Sequence, residues 1–260
     1  MKDSSRTPVI VSAARTPIGR FLGGLSSLSA PDLGAHAIRA AVARAGIDAS
    51  ALDEVIMGNV VQGGVGQAPA RQAAIKGGIP ATVPAFTVNK VCGSGLKSVM
   101  LAAQAIQCGD AQVVVAGGTE NMSRTPYLLD KARSGYRMGH VQVLDHMFYD
   151  GLQSPWDGQM MGCSAENTAG RYAFSRAEQD EYAARSVRRA PVWSVSSNGP
   201  PTGVRPHIRS SISSAAVGAC AVCAPQSEAP ATVSVHVRAA RQPERSCRTR
   251  VPAIRNRWHI

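Results

Sequence analysis

Residues Val88-Asn89-Lys90-Val91-Cys92-Gly93-Ser94-Gly95-Leu96-Lys97 combine a thiol, two glycines and a change of hydrophobic period within ten positions. The segment before them, Ala85 to Val91, is rich in β-branched and aromatic residues and predicts a strand. After them Leu96, Val99, Met100, Ala103 and Ile106 recur at helical spacing, and Gly109 is placed to end the helix. Cys92 therefore belongs at a strand-to-helix corner, beside unpaired backbone N–H groups and the positive end of a helix dipole. That environment favours thiolate over thiol and suits a nucleophile that forms a covalent intermediate. Gly93 and Gly95 are expected to let the backbone turn tightly and to leave room for a substrate. A buried structural cysteine is the plainer alternative.

The elements that must position this corner alternate strand and helix. Pro8 to Ala13 and Glu54 to Val61 read as strands. Between them Ser29-Ala30-Pro31-Asp32 forms a capping box with Pro in the first turn, opening a helix that carries Leu33, Ala37, Ile38, Ala41 and Val42 and ends at Gly46. Ala68 to Lys76 predicts a second helix stopped by Gly77-Gly78, and Ala111 to Ala116 a buried strand. Repeated βα units imply an α/β fold: a mostly parallel or mixed sheet covered by helices on both faces. Residues 119 to about 158 interrupt the rhythm, and an insertion without regular structure of that length is usually functional. Two helices then follow, near Gly158 to Phe174 and from Ser175, where Ser175-Arg176-Ala177-Glu178 is another capping box.

Five stretches carry a resemblance. Val9-Ile10-Val11-Ser12-Ala13-Ala14-Arg15-Thr16-Pro17-Ile18-Gly19, the Cys92 segment, Val115-Ala116-Gly117-Gly118-Thr119-Glu120-Asn121-Met122-Ser123, and the pair Met161-Gly162-Cys163-Ser164-Ala165-Glu166-Asn167 and Ser175-Arg176-Ala177-Glu178-Gln179-Asp180 occur in this order. Together they resemble the N-terminal half of a thiolase, over residues 8 to about 186. The resemblance implies a layered α/β fold and an acyl-CoA C-acyltransferase activity: two acetyl-CoA condense to acetoacetyl-CoA, or the product is cleaved by CoA. It further implies that Cys92 is the acyl-accepting nucleophile and that Leu152 and Met161 line the pantetheine and acyl pocket. Met160 stands where some members carry a histidine. Acyl-CoA and CoA are the implied partners, no further cofactor or metal is implied, and a homodimer or homotetramer is the expected assembly. A 3-ketoacyl-CoA thiolase of fatty-acid β-oxidation, working on longer chains, is the alternative within the class. The family's base histidine, second catalytic cysteine and Asn-containing motif lie in its other half and have no counterpart here. The alternative outside the class is therefore an inactive, truncated chain that binds CoA thioesters or oligomerises.

Composition divides the chain at the same place. Residues 187–260 contain no Leu, Lys, Asp, Met, Phe or Tyr, and hold half of the 16 Pro. Of the net charge of +11, the 11 Arg against Glu228 and Glu244 in this tail supply +9, so the basic balance says little about the globular part. With so little apolar material the tail is expected to be largely disordered, Val233 to Val237 being its best strand candidate. The abrupt loss of residue types suggests that the reading frame shifts near Ser186-Val187. Two units follow: residues 1–186, including the pocket or oligomerisation loop at 119–158, and the Arg/Pro/Ser-rich tail 187–260. Eleven arginines would attract phosphate, but without interleaved aromatics or a recognised module no specific nucleic-acid partner is expected. No run of 18 apolar residues and no secretory h-region is present. The six cysteines lack disulfide-framework spacing, which makes the cytoplasm the default compartment. Cys220-x-x-Cys223 with His236 and Cys247 could be drawn as a zinc set but lacks a second paired motif, and Gly64-Val65-Gly66-Gln67 lacks the third glycine of a dinucleotide fingerprint. His36, His140 and His146 are read as packing or surface residues.

Overall fold

The computed structural model describes residues 6–189 and 217–225. Its order is β1 (Pro8–Arg15), α1 (Ala30–Ala45), β2 (Glu54–Gly58), α2 (Pro69–Lys76), β3 (Ala85–Val88), α3 (Ser94–Cys108), β4 (Val114–Glu120), β5 (Tyr127–Leu128), β6 (Leu144–Asp145), α4 (Met161–Arg171), α5 (Arg176–Arg189) and β7 (Val217–Pro225). The main sheet has the strand order β1-β7-β4-β2-β3. β2 pairs in parallel with both β3 and β4, while β7 is antiparallel to β1 and β4. The sheet is thus mixed, with one reversed strand in an otherwise parallel set.

Helices cover both faces, as the βα rhythm predicts. α1 and α2 bury Ile38, Ala41, Ala70, Ala73 and Ala74 against Val55, Met57, Val115 and Val222 on one side. α3 buries Ala102 and Ile106 against Ile56, Val114, Ala116 and Cys223 on the other. The α1 start matches its sequence signature: the Ser29 side chain accepts from the Asp32 N–H, the Asp32 carboxylate answers the Ser29 N–H, and Gly46 closes the helix at φ 66°. Two hydroxyls tie α1 to the sheet, Ser12 Oγ donating to the Ala41 carbonyl at 2.6 Å and Thr119 Oγ1 to the Ala30 carbonyl at 2.6 Å.

α3 spans the expected residues but presents a different face to the sheet. Its buried positions are Ser94, Ser98, Ala102 and Ile106, whereas Leu96 and Met100 are exposed. The reason is the surface beneath. A Cβ on Gly58 would stand 2.6 Å from the Ser94 carbonyl carbon, and one on Gly118 would stand 3.2 Å from the Gly95 Cα. Two glycine-bearing strands bring the helix so close that only small side chains fit between them. The Ser98 hydroxyl, 2.6 Å from the carbonyls of both Gly95 and Gly117, locks that approach.

Two stretches depart from their sequence reading. The insertion at 119–158 contains a 3-10 turn at Met122–Arg124, the β5–β6 pair and a π-helix at Met147–Leu152. Asn121 Nδ2 docks it by donating to the carbonyls of Leu25 and Leu28. Within the region expected to be largely disordered, Val217–Pro225 forms β7, in register with β1 from Pro8↔Pro225 to Arg15↔Ala219. The rest of that region, including Val233 to Val237, lies outside the described residues. α4 carries no buried residue, and the described residues of α5 are exposed or half-buried.

Candidate active site

A cleft of about 940 Å³ opens at the carboxyl ends of β1, β2 and β4 and the head of α3. In open α/β sheets this edge is where ligands bind. Its lining is mainly apolar, from Val60, Val61, Leu96, Val99 and Leu152, with Cys92, Asn59 and Glu120 as polar members on one side and Arg15 and Arg44 among the rest. Cys92 is exposed and lines this cleft, two residues before α3 begins. The plainer sequence alternative, a buried structural cysteine, does not hold for it. Leu152, at the end of the π-helix, lines the same cleft. Met161, at the start of α4, is 39 % exposed and is not among the cleft residues described.

The turn that presents the thiol is built by residues other than the two glycines. Gly93 has φ −89°, and Gly95 is not among the positive-φ glycines. The left-handed position is Val91, at φ 48°, a conformation that a β-branched residue adopts only where its surroundings impose it. Those surroundings are three hydrogen bonds. Asn89 Oδ1 accepts from the Val91 N–H at 2.9 Å, Ser94 Oγ accepts from the Lys90 N–H at 2.8 Å, and the same hydroxyl donates to the Val91 carbonyl at 2.6 Å. The result pushes Cys92 outward at the helix head. α3 has no side-chain cap; the N–H groups of Gly93 and Ser94 donate to the Lys90 and Val91 carbonyls, which leaves those of Gly95 and Leu96 as the open donors of the helix head.

Glu120 closes the floor on the β2 side. Its Oε2 accepts from the Val60 N–H at 2.8 Å, and Oε1 accepts from Asn59 Nδ2 at 2.8 Å and the Val61 N–H at 3.3 Å. Burial pushes its carboxyl above the ordinary range, partly offset by those hydrogen bonds. Asn59 Nδ2 also donates to the Thr119 carbonyl, while its buried Oδ1 finds no donor among the described residues. His146 stands outside the cleft lining. Its Nε2 accepts from the Gly63 N–H at 3.0 Å, so the other nitrogen carries the proton and donates to Asp150 Oδ2 at 2.6 Å. With both nitrogens engaged, His146 staples the insertion to the β2 loop, in keeping with its reading as a packing residue. His36 and His140 are exposed.

Cys220 also borders the cleft, but it is a core thiol: it is buried 3.5 Å from Met57 Sδ, and burial drives its pKa up. Cys223 packs on the α3 side of the sheet, and burial raises it to about 11. The two therefore face opposite sides of one strand and cannot share an ion. His236 and Cys247 lie outside the described residues. Asn59, Asn89, Glu120 and the positive φ of Val91 were not singled out from the sequence. The only available signal was the glycine-rich stretch ending in Glu120.

A cysteine offered at an uncapped helix head, over the carboxyl edge of a layered α/β sheet, is an arrangement suited to a nucleophile. Comparison narrows it: residues 8–192 match the family model described as the thiolase N-terminal domain, and the chain belongs to the thiolase family. It is 62 % identical over 183 residues to an acetyl-CoA acetyltransferase of Escherichia coli K12, a match covering 70 % of this chain and 46 % of that protein. An acetyl-CoA acetyltransferase of Cupriavidus necator is 56 % identical over 182 residues, and a probable acetyl-CoA acyltransferase of Staphylococcus aureus 52 % over 182 residues, with the same coverage on both sides. The chain spans about half the length of the curated relatives it matches. Among the described residues no helix is long and apolar enough to cross a membrane.

Proposed function

We propose that this chain is the acyl-accepting half of an acetyl-CoA C-acetyltransferase. The observation that carries the reading is the placement of exposed Cys92 in the large apolar cleft at the open head of α3. The Cys92 thiolate attacks the thioester carbonyl of acetyl-CoA. A bond forms between Sγ and the carbonyl carbon, the bond to the CoA sulfur breaks, and the departing CoA thiolate takes a proton from solvent. N–H groups at the α3 head, including that of Cys92, would stabilise the transient oxyanion. Leu152, and Met161 by family resemblance, would contact pantetheine and the acyl group. No cofactor beyond the CoA thioesters is needed for this step.

A second reading has its own support: among the described residues, none of the cleft-lining residues is a histidine. Without a base for the thiol and a second group to deprotonate the acetyl methyl, each worth about 10²–10⁴ in rate, condensation and thiolysis by this chain alone should be negligible. It then acts at most as a CoA-thioester binder that is acylated once. The longer-chain 3-ketoacyl-CoA alternative differs only in the acyl group the cleft admits. Phe86, Val91, Leu96 and Met100 are exposed apolar residues on the β3–α3 side, which supports self-association as a homodimer or homotetramer. Incubating the protein with acetyl-CoA and mapping peptides by mass tests the reading. An acetyl group on Cys92 and not on Cys108 or Cys163 is expected. Absence of the Cys92 adduct under conditions that acetylate an intact relative would overturn it.

A further inference from the structure

We propose that Glu120 is a positioning residue for Cys92, acting through a hydrogen-bonded relay in which the main chain at Val60 links the Glu120 carboxylate to Asn89, and Asn89 holds the Val91 turn. This rests on Cys92 as the nucleophile, but the relay is a property of the protein alone and can be read without acyl-CoA.

Each link is visible. The Val60 N–H donates to Glu120 Oε2 at 2.8 Å, and the Val60 carbonyl accepts from Asn89 Nδ2 at 3.4 Å. Asn89 then uses its other atom, Oδ1, to accept the Val91 N–H at 2.9 Å. One amide side chain thus spans the β2 loop and the turn. Its orientation is fixed at both ends, because the two bonds need an N–H₂ on one side and an oxygen on the other. The turn needs such a brace: Val91 sits at φ 48°, and a β-branched residue left to itself would relax to an extended conformation and swing the next residue away. Relaxation would carry Cys92 off the helix head.

The anchor at the far end is the costly part. Glu120 is a half-buried carboxylate whose desolvation is only partly offset by the N–H groups of Val60 and Val61 and the amide of Asn59. His146 is the titratable neighbour facing it from the insertion, and with its Nε2 accepting from the Gly63 N–H the ring is neutral and adds no formal charge. A carboxylate is well chosen for gathering three donors from consecutive residues, Asn59 to Val61. A neutral side chain of the same size would offer fewer acceptor sites.

The sign of the effect separates positioning from simple electrostatics. Removing a negative charge near a thiol, by itself, favours thiolate and speeds alkylation. Loss of positioning does the reverse. The test is peptide-resolved alkylation of the full-length protein by iodoacetamide across pH, for wild type, Glu120→Gln and Asn89→Ala. Cys108 and Cys163 serve as exposed references, and Cys220 and Cys223 report whether the core stays closed. Expected is a Cys92 rate about tenfold lower in each variant at every pH, with the reference rates unchanged. The double variant should be no slower than either single one, because both break the same chain of contacts. An unchanged or faster Cys92 in Glu120→Gln with Cys220 still protected would overturn the proposal. If Glu120→Gln opens the core and exposes Cys220, Asn89→Ala decides alone, and an unaltered Cys92 rate there sinks the relay. Failure here would leave the acyl-transfer reading intact, since that is judged by acetylation of Cys92 and not by its dependence on Glu120.

Discussion

α1 and α3 lie on opposite faces of the same sheet and begin in opposite ways. The head of α1 is sealed, with Ser29 and Asp32 satisfying each other's backbone N–H groups and Pro31 occupying a position that needs no donor. The head of α3 is unsealed: its N-cap is Gly93, no side chain caps it, and a thiol stands immediately before it. The packing faces differ as well. α1 buries Leu33, Ile38 and Val42, whereas α3 buries Ser94 and Ser98 near its start and leaves Leu96 toward the cleft. A helix whose task is to hold the core uses large apolar residues and closes its own donors. α3 gives up cap and apolar contact at the end that faces the cleft.

This contrast can be broken or sharpened by substitution. The largest effect belongs to Cys92→Ala, which should abolish the acetyl adduct entirely while leaving the urea unfolding midpoint unchanged, because the exposed side chain contributes little burial. Next, Gly58→Ala places a Cβ 2.6 Å from the Ser94 carbonyl carbon, so the α3 head must shift away from β2. Destabilisation of about 1–3 kcal/mol by urea titration and a slower Cys92 alkylation are expected together. Ser29→Ala removes the α1 cap and should cost about 1 kcal/mol with no change at Cys92. A coupled loss at Cys92 would mean that the two helices are not independent. The smallest effect concerns Asp32. Its pKa is held at about 2, first by the hydrogen bond from Lys76 and then by Ser29. With the folded value below the unfolded one, its contribution is present above pH 3.8 and is lost as pH falls through about 2. Lys76→Met should raise the Asp32 pKa toward 3.8 in a carboxyl NMR titration and narrow that acid-labile window. The pair is solvent-exposed, so the change in stability at neutral pH should be slight.

Much of the frame was legible because its signals are local. The α1 capping box, the βα alternation and the Cys92 corner are read within a few residues of sequence, and the thiolase resemblance spans the same region. What escaped depends on partners far along the chain. The α3 face was misread because periodicity assumes that the largest apolar residues point inward, whereas Gly58 and Gly118 leave room only for the small ones. β7 was missed for a related reason. Val217–Pro225 reads as a short run of small apolar residues without alternation, and a strand buried on both faces has none. Val233 to Val237, which does alternate, lies outside the described residues. Cys92 and Leu152, both named from sequence, line the cleft, but the grip of Glu120 on Asn59 to Val61 reaches across some sixty positions and leaves no local mark.

The position of β7 has a consequence for how the molecule is made. Among the described strands β1 is hydrogen-bonded to the sheet only through β7, so it cannot find that neighbour until residues 217–225 have been made. Until then Pro8–Arg15 waits as an unzipped ribbon. Among the described pairings, the one that joins the two has the longest loop to close, which makes it a slow event in assembly.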